Sequence, residues 1–74
     1  MVTIAKIRHP NRAIQFSLNS TVVPGNLRRG TFDSLRDVVA ACGEELTPEG
    51  REWILEREKE EWDLIEIPER FFSF

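Results

Sequence analysis

His9 and Cys42 are the only histidine and the only cysteine of a 74-residue chain that has no tyrosine, so acid–base or nucleophilic chemistry would have to run through them or through carboxylates. His9 precedes Pro10 in a stretch that reads as an exposed turn tip, far in sequence from Cys42. Cys42 falls in the last turn of an expected helix, where the negative end of the helix dipole raises a thiol pKa and suppresses the thiolate. The ordinary role of such a residue is to fill a small core. A single thiol also excludes an internal disulfide and a zinc site built from several thiolates.

Carboxylates are plentiful: Glu44–Glu45, Glu60–Glu61, and the ladder Glu52, Glu56 and Glu60 at i, i+4 spacing. A glycosidase or a carboxylate metal site needs a few such groups in a concave, partly dry pocket, whereas a ladder on a solvated helix face encloses nothing. The four glycines show no phosphate-cradling pattern, because "PGNLRRG" has neither the Walker spacing nor a strand-to-helix setting. These residues argue for binding surfaces rather than for an enzyme, a metal or a cofactor.

Charge marks two such surfaces. Residues 1 to 36 carry six basic side chains against one acid, a net of +5, and residues 37 to 74 carry twelve acids against four basic groups, a net of −8. Lys6, Arg8, Arg12, Arg28 and Arg29 form a candidate nucleic-acid-binding patch around a hairpin turn. That reading lacks aromatic stacking partners, and a pI near 5.1 repels nucleic acid at long range. Glu52, Glu56 and Glu60 form the opposite surface, suited to a basic site on a protein partner. The two halves can also satisfy each other internally, and an acidic helix face serves solubility in any case.

The stretch "IPERFFSF" adds Phe71, Phe72 and Phe74. Burying aromatic surface is worth about 25 cal/mol per Å², so something should cover them. The expectation is that Phe71 closes the core while Phe72 and Phe74 join Trp62 at an interface with a protein partner or a second copy. Deleting residues 71 to 74 should then cost partner capture more than it costs the fold.

The elements that position these residues are legible to different degrees. "AIQFSL" alternates apolar and polar residues with the period of a strand, and "VTIAKI" before it is rich in β-branched residues, with Ile4 and Ile7 on opposite faces. "HPNR" supplies turn residues for a loop of three to five. "NSTVVPGNLRRG" reads as a loop in which Thr21 to Val23 could form a short strand and Leu27 tucks inward. Thr31 is the expected cap of a first helix whose stripe is Phe32, Leu35, Val38, Val39 and Cys42, stopping at Gly43. Thr47, Pro48 and Glu49 open a second helix that continues through "EREKEE", with Arg57 paired to Glu61. "LIEI", bounded by Pro68, reads as a strand.

Length implies one domain over residues 1–74, with a small core. Hydrophobic residues at 41% and charged residues at 31% are the proportions of a globular protein. No apolar run has the length of a secretion signal's core or of a membrane span, which sets the expectation of a soluble, cytoplasmic protein. The expected fold is α+β: an antiparallel sheet made of an N-terminal hairpin and a C-terminal strand, with two helices on one face, in the order ββααβ. The expected function is a non-enzymatic module that regulates or inhibits a protein partner, as phage- or plasmid-borne accessory inhibitors of nucleic-acid-handling complexes do.

Overall fold

The computed structural model describes residues 1–20 and 30–73. Strands β1 (Val2–Arg8), β2 (Ile14–Ser20), β3 (Gly30–Phe32) and β4 (Leu64–Ile67) form one antiparallel sheet in the order β3-β2-β1-β4. Between β3 and β4 run helices α1 (Leu35–Cys42) and α2 (Pro48–Glu56). The α+β arrangement of a hairpin, two helices and a returning strand is therefore present, with β3 as an additional edge.

Register explains the layering. Ile4 lies opposite Leu18 on β2 and Ile65 on β4, while Val2 lies opposite Ser20 and Ile67. Directly opposed residues share a face, so these side chains point together toward the helices. Val2, Ile4, Leu18 and Ile67 are buried there, and Leu35, Val38, Cys42 and Ile54 of the helices meet them. Thr3, Ala5, Ile7, Gln15, Ser17 and Leu64 alternate onto the other face, which no helix among the described residues covers.

The loop between β1 and β2 spans five residues, closed by the His9 N–H donating to the Ala13 carbonyl at 2.9 Å. Its left-handed position is Arg12 (φ 71°) rather than Asn11. Asn11 instead accepts the Ala13 N–H through its side-chain oxygen at 3.1 Å, the Asx-type bond that suits asparagine to turns.

Two helix boundaries differ from expectation. Thr31 does not cap α1: it pairs with Ser17 in β3, and Phe32 pairs with Phe16. Ladder bonds and the ring on the helix-covered face hold this segment extended, and the cap passes to Ser34, whose hydroxyl accepts the Asp37 N–H at 3.1 Å. The Ser34-x-x-Asp37 spacing before an apolar run was the signal for it. The α1 stop at Gly43 (φ 63°) stands as read, with its N–H on the Val39 carbonyl.

Helix α2 starts where expected, with Thr47 accepting the Gly50 N–H at 3.1 Å and Pro48 in the first turn. It ends at Glu56, the first residue of "EREKEE", and does not continue through that stretch. A 3-10 turn, Arg57–Lys59, follows, and Glu60 N–H closes it on the Arg57 carbonyl at 3.1 Å. The Trp62 indole N–H reaches back to the same carbonyl at 2.8 Å. The chain thus leaves the helix so that an aromatic residue can dock, which no continued α-helix would allow.

The last residues cross the segment joining the helices. Leu46 and Phe72 form an antiparallel bridge, flanked by Thr47 N–H to the Phe71 carbonyl and Ser73 N–H to the Glu45 carbonyl, both 2.8 Å. Phe71 packs against Trp53 at 5.8 Å between ring centroids. Phe71 and Phe72 are both in the core, at 7% and 8% exposure. Fully burying such a side chain contributes about 1.5–3 kcal/mol.

Candidate partner-binding surface

The capped start of α2 fixes the direction of its side chains. Gly50 and Ile54 are buried, and Glu49, Glu52 and Glu56 stand on the exposed side. Among the described residues neither Glu49 nor Glu52 lies within 4.0 Å of a basic group, while Glu56 meets Lys59 at 3.8 Å. Glu60 lies beyond the helix and meets Arg57 at 3.5 Å, so the three-rung ladder reduces to two helical carboxylates with a third displaced onto the following turn. The expected pair of Arg57 with Glu61 gives way to this contact, because the 3-10 turn breaks i, i+4 spacing. Leu55, 37% exposed, sits beside the acidic residues as an apolar contact point.

The aromatic residues are placed differently. Trp62 is half-buried, its ring 5.9 Å from that of Phe16 and 4.6 Å from the Lys6 ammonium. It closes the end of the sheet over a cation rather than standing free. Phe72, expected at an interface, lies inside the chain. Phe74 lies outside the described residues.

Two basic residues of the hairpin, Lys6 and Arg8, meet partners within the chain. Arg8 forms an ion pair with Asp63 and a second with Glu61 at 3.8 Å. The Lys6 N–H donates to the Asp63 carbonyl at 2.8 Å, so the segment after α2 lies alongside both basic residues. Arg12 is exposed, without an ion pair among the described residues. Arg28 and Arg29 lie outside the described residues, as do Thr21 to Val23 and Leu27.

His9 and Cys42 lie in different surroundings. Cys42 is fully buried, and burial together with the nearby Glu45 carboxylate pushes its pKa up to about 11. His9 Nε2 lies 2.8 Å from the Gln15 side-chain oxygen, and the Gln15 amide donates to Asp33 at 2.9 Å. The carboxylate can only accept, which orients the amide and makes His9 Nε2 the donor. This row ties the hairpin turn to the end of β3 along a shallow concavity of about 480 Å³. It holds one imidazole, two side-chain amides (Asn11 and Gln15) and one carboxylate, and Cys42 is not among the residues lining it. Among the described residues no group of three or more His, Cys, Asp or Glu is placed to hold a metal ion. None of their helices is long and apolar enough to cross a membrane.

Compared with protein-family models, with curated proteins and with solved structures, the chain matches none.

Proposed function

We propose that this chain is a non-enzymatic protein-binding module that regulates or inhibits a protein partner through the acidic outer side of α2. One contrast carries the reading: Lys6 and Arg8 are taken up by Trp62, Asp63 and Glu61, whereas Glu49 and Glu52 stand exposed without an ionic partner among the described residues. Two carboxylates left without an ionic partner on the helix that carries the exposed Leu55 favour encounter with a basic, partly apolar site. Small size and net acidity suit an accessory inhibitor of the phage- or plasmid-borne kind.

The alternative, a nucleic-acid-binding hairpin, draws less support, because Lys6 and Arg8 already meet partners inside the chain. Affinity capture from the native host, compared between the wild type and the combined Glu52→Lys, Glu56→Lys variant, tests the proposal. The variant should lose the protein that the wild type retains, with an unchanged circular dichroism spectrum. Equal capture of the same protein by both would refute the assignment to α2, and a salt-sensitive mobility shift with DNA or RNA would favour the alternative.

A further inference from the structure

Strand β4 is the edge of the sheet, paired on one side only. The Lys6 N–H donates to the Asp63 carbonyl at 2.8 Å, which sets the phase of the ladder. Bonded and non-bonded pairs alternate in antiparallel sheets, so Ile65 and Ile67 direct their backbone groups to β1, while Leu64 and Glu66 direct theirs outward. Among the described residues, no other backbone bond reaches Leu64 or Glu66. Within Leu64–Ile67 the edge has no lysine, no proline and no bulge; its protections are its length of four residues and the single charge of Glu66. Leu64, at 63% exposure, is the most exposed large apolar residue described.

We infer that this edge receives the β4 of a second copy, joining two sheets into one of eight strands. Register argues for a copy of this chain. Around a two-fold axis perpendicular to the sheet, outward-bonding residues must face one another, and three self-pairings meet that condition. Centring on Glu66 would oppose two like charges and match Leu64 with Pro68, which has no N–H to give. Centring on Leu64 would use only one of the two outward residues on itself and match Glu66 with Trp62, which is already docked on Lys6 and Phe16. Centring on Ile65 matches Leu64 with Glu66 of the second copy twice over. Every outward N–H and carbonyl of β4 is then bonded, and no carboxylate opposes another. The half-buried Ile65 of each copy meets its equivalent on the helix-covered face. Leu64 lies along the aliphatic stem of the opposing Glu66. This surface is separate from the acidic side of α2, so the inference is independent of the proposed partner.

Light scattering or sedimentation of the full chain over a concentration series tests it. The wild type should show a concentration-dependent dimer. Glu66→Pro removes an N–H that the monomer does not use and should give a monomer whose melting curve matches the wild type. Leu64→Glu sets a carboxylate opposite Glu66 twice across the axis and should raise the dissociation constant on the order of tenfold. Adding Glu66→Lys to Leu64→Glu should restore association, a reversal that only this register produces. The inference is overturned by a wild type that stays monomeric at every concentration, or by a dimer indifferent to both Glu66→Pro and Leu64→Glu. If Glu66→Pro unfolds, the charge reversal decides the matter on folded protein.

Discussion

Gly50 and Phe71 approach so closely that a Cβ on Gly50 would lie 2.8 Å from the Cβ of Phe71 and 2.7 Å from Leu46 Cδ1. Glycine inside a helix ordinarily costs about 1 kcal/mol relative to alanine. Here the missing side chain is what lets Phe71 pass against the first turn of α2, and Phe71 Cβ is tied to a backbone that bonds Thr47. Gly50→Ala should therefore destabilise the protein by about 1–2 kcal/mol in spite of its better helix propensity, the overpacking term exceeding the propensity gain. Urea unfolding measures it. A gain in stability would mean that the crossing yields freely.

The same crossing makes residues 71–73 part of the fold. Deleting residues 71 to 74 removes two buried rings and the backbone bonds to Glu45 and Thr47. Loss of cooperative thermal unfolding is expected, and Phe71→Ala alone should cost about 3 kcal/mol or more. Near-ultraviolet circular dichroism follows the packing directly, and a truncated chain that keeps its spectrum and its melting transition would place the rings outside the core.

Where each element could be read in advance follows from how local its cause is. The alternation of Ile14, Phe16 and Leu18, the Thr47–Pro48 start of α2 and the Gly43 stop of α1 each depend on a few neighbouring residues, and each stands in the structure. Strand β3 has three residues and exists because Phe32 and Thr31 find Phe16 and Ser17 already extended beside them. No periodicity can show in so short a run. The end of α2 depends on Trp62 reaching Arg57 and covering Phe16, and the need for glycine at position 50 depends on Phe71; both are long-range contacts. The exposure of the acidic residues of α2 was legible from spacing. The burial of Phe72 and the half-burial of Trp62 were not, because aromatic residues serve cores and interfaces equally well.

Cys42 supplies a pH dependence whose direction is set by its environment. Its folded pKa is about 11 against an ordinary value of 9.0, raised first by burial and then by Glu45. The thiol is neutral when protonated, so the unfolded chain releases its proton at lower pH than the folded one. The contribution to stability is intact below pH 9 and is lost as the pH rises from about 9 toward 11. Chemical denaturation across that interval should show a steeper decline in the wild type than in Cys42→Ala, and the thiol should react with Ellman's reagent at neutral pH only at the rate of opening. Parallel declines in the two proteins would remove the thiol from the alkaline transition.

Trp62 joins three separate parts of the chain: its indole N–H holds the Arg57 carbonyl, its ring lies against Phe16 of β2, and its π-face receives Lys6 of β1, while the next residue, Asp63, pairs with Arg8 on the same strand. The Arg8–Asp63 pair is exposed and should contribute less than about 1 kcal/mol, so the ring carries most of this closure. Trp62→Phe keeps an aromatic surface and gives up one hydrogen bond, at a cost of about 1 kcal/mol. Trp62→Ala also gives up the ring packing and should cost about 3 kcal/mol, the lower end for a large aromatic because this one is half-buried. Lys6→Met retains the aliphatic stem and removes the charge, so a double-mutant cycle between Lys6→Met and Trp62→Ala isolates the cation–π contribution, expected at about 0.5–1 kcal/mol. A coupling of zero would mean that the ammonium is solvated as well without the ring as with it. Lys6 would then be free to meet phosphates, and the nucleic-acid reading of the hairpin would recover the residue that the structure withholds from it.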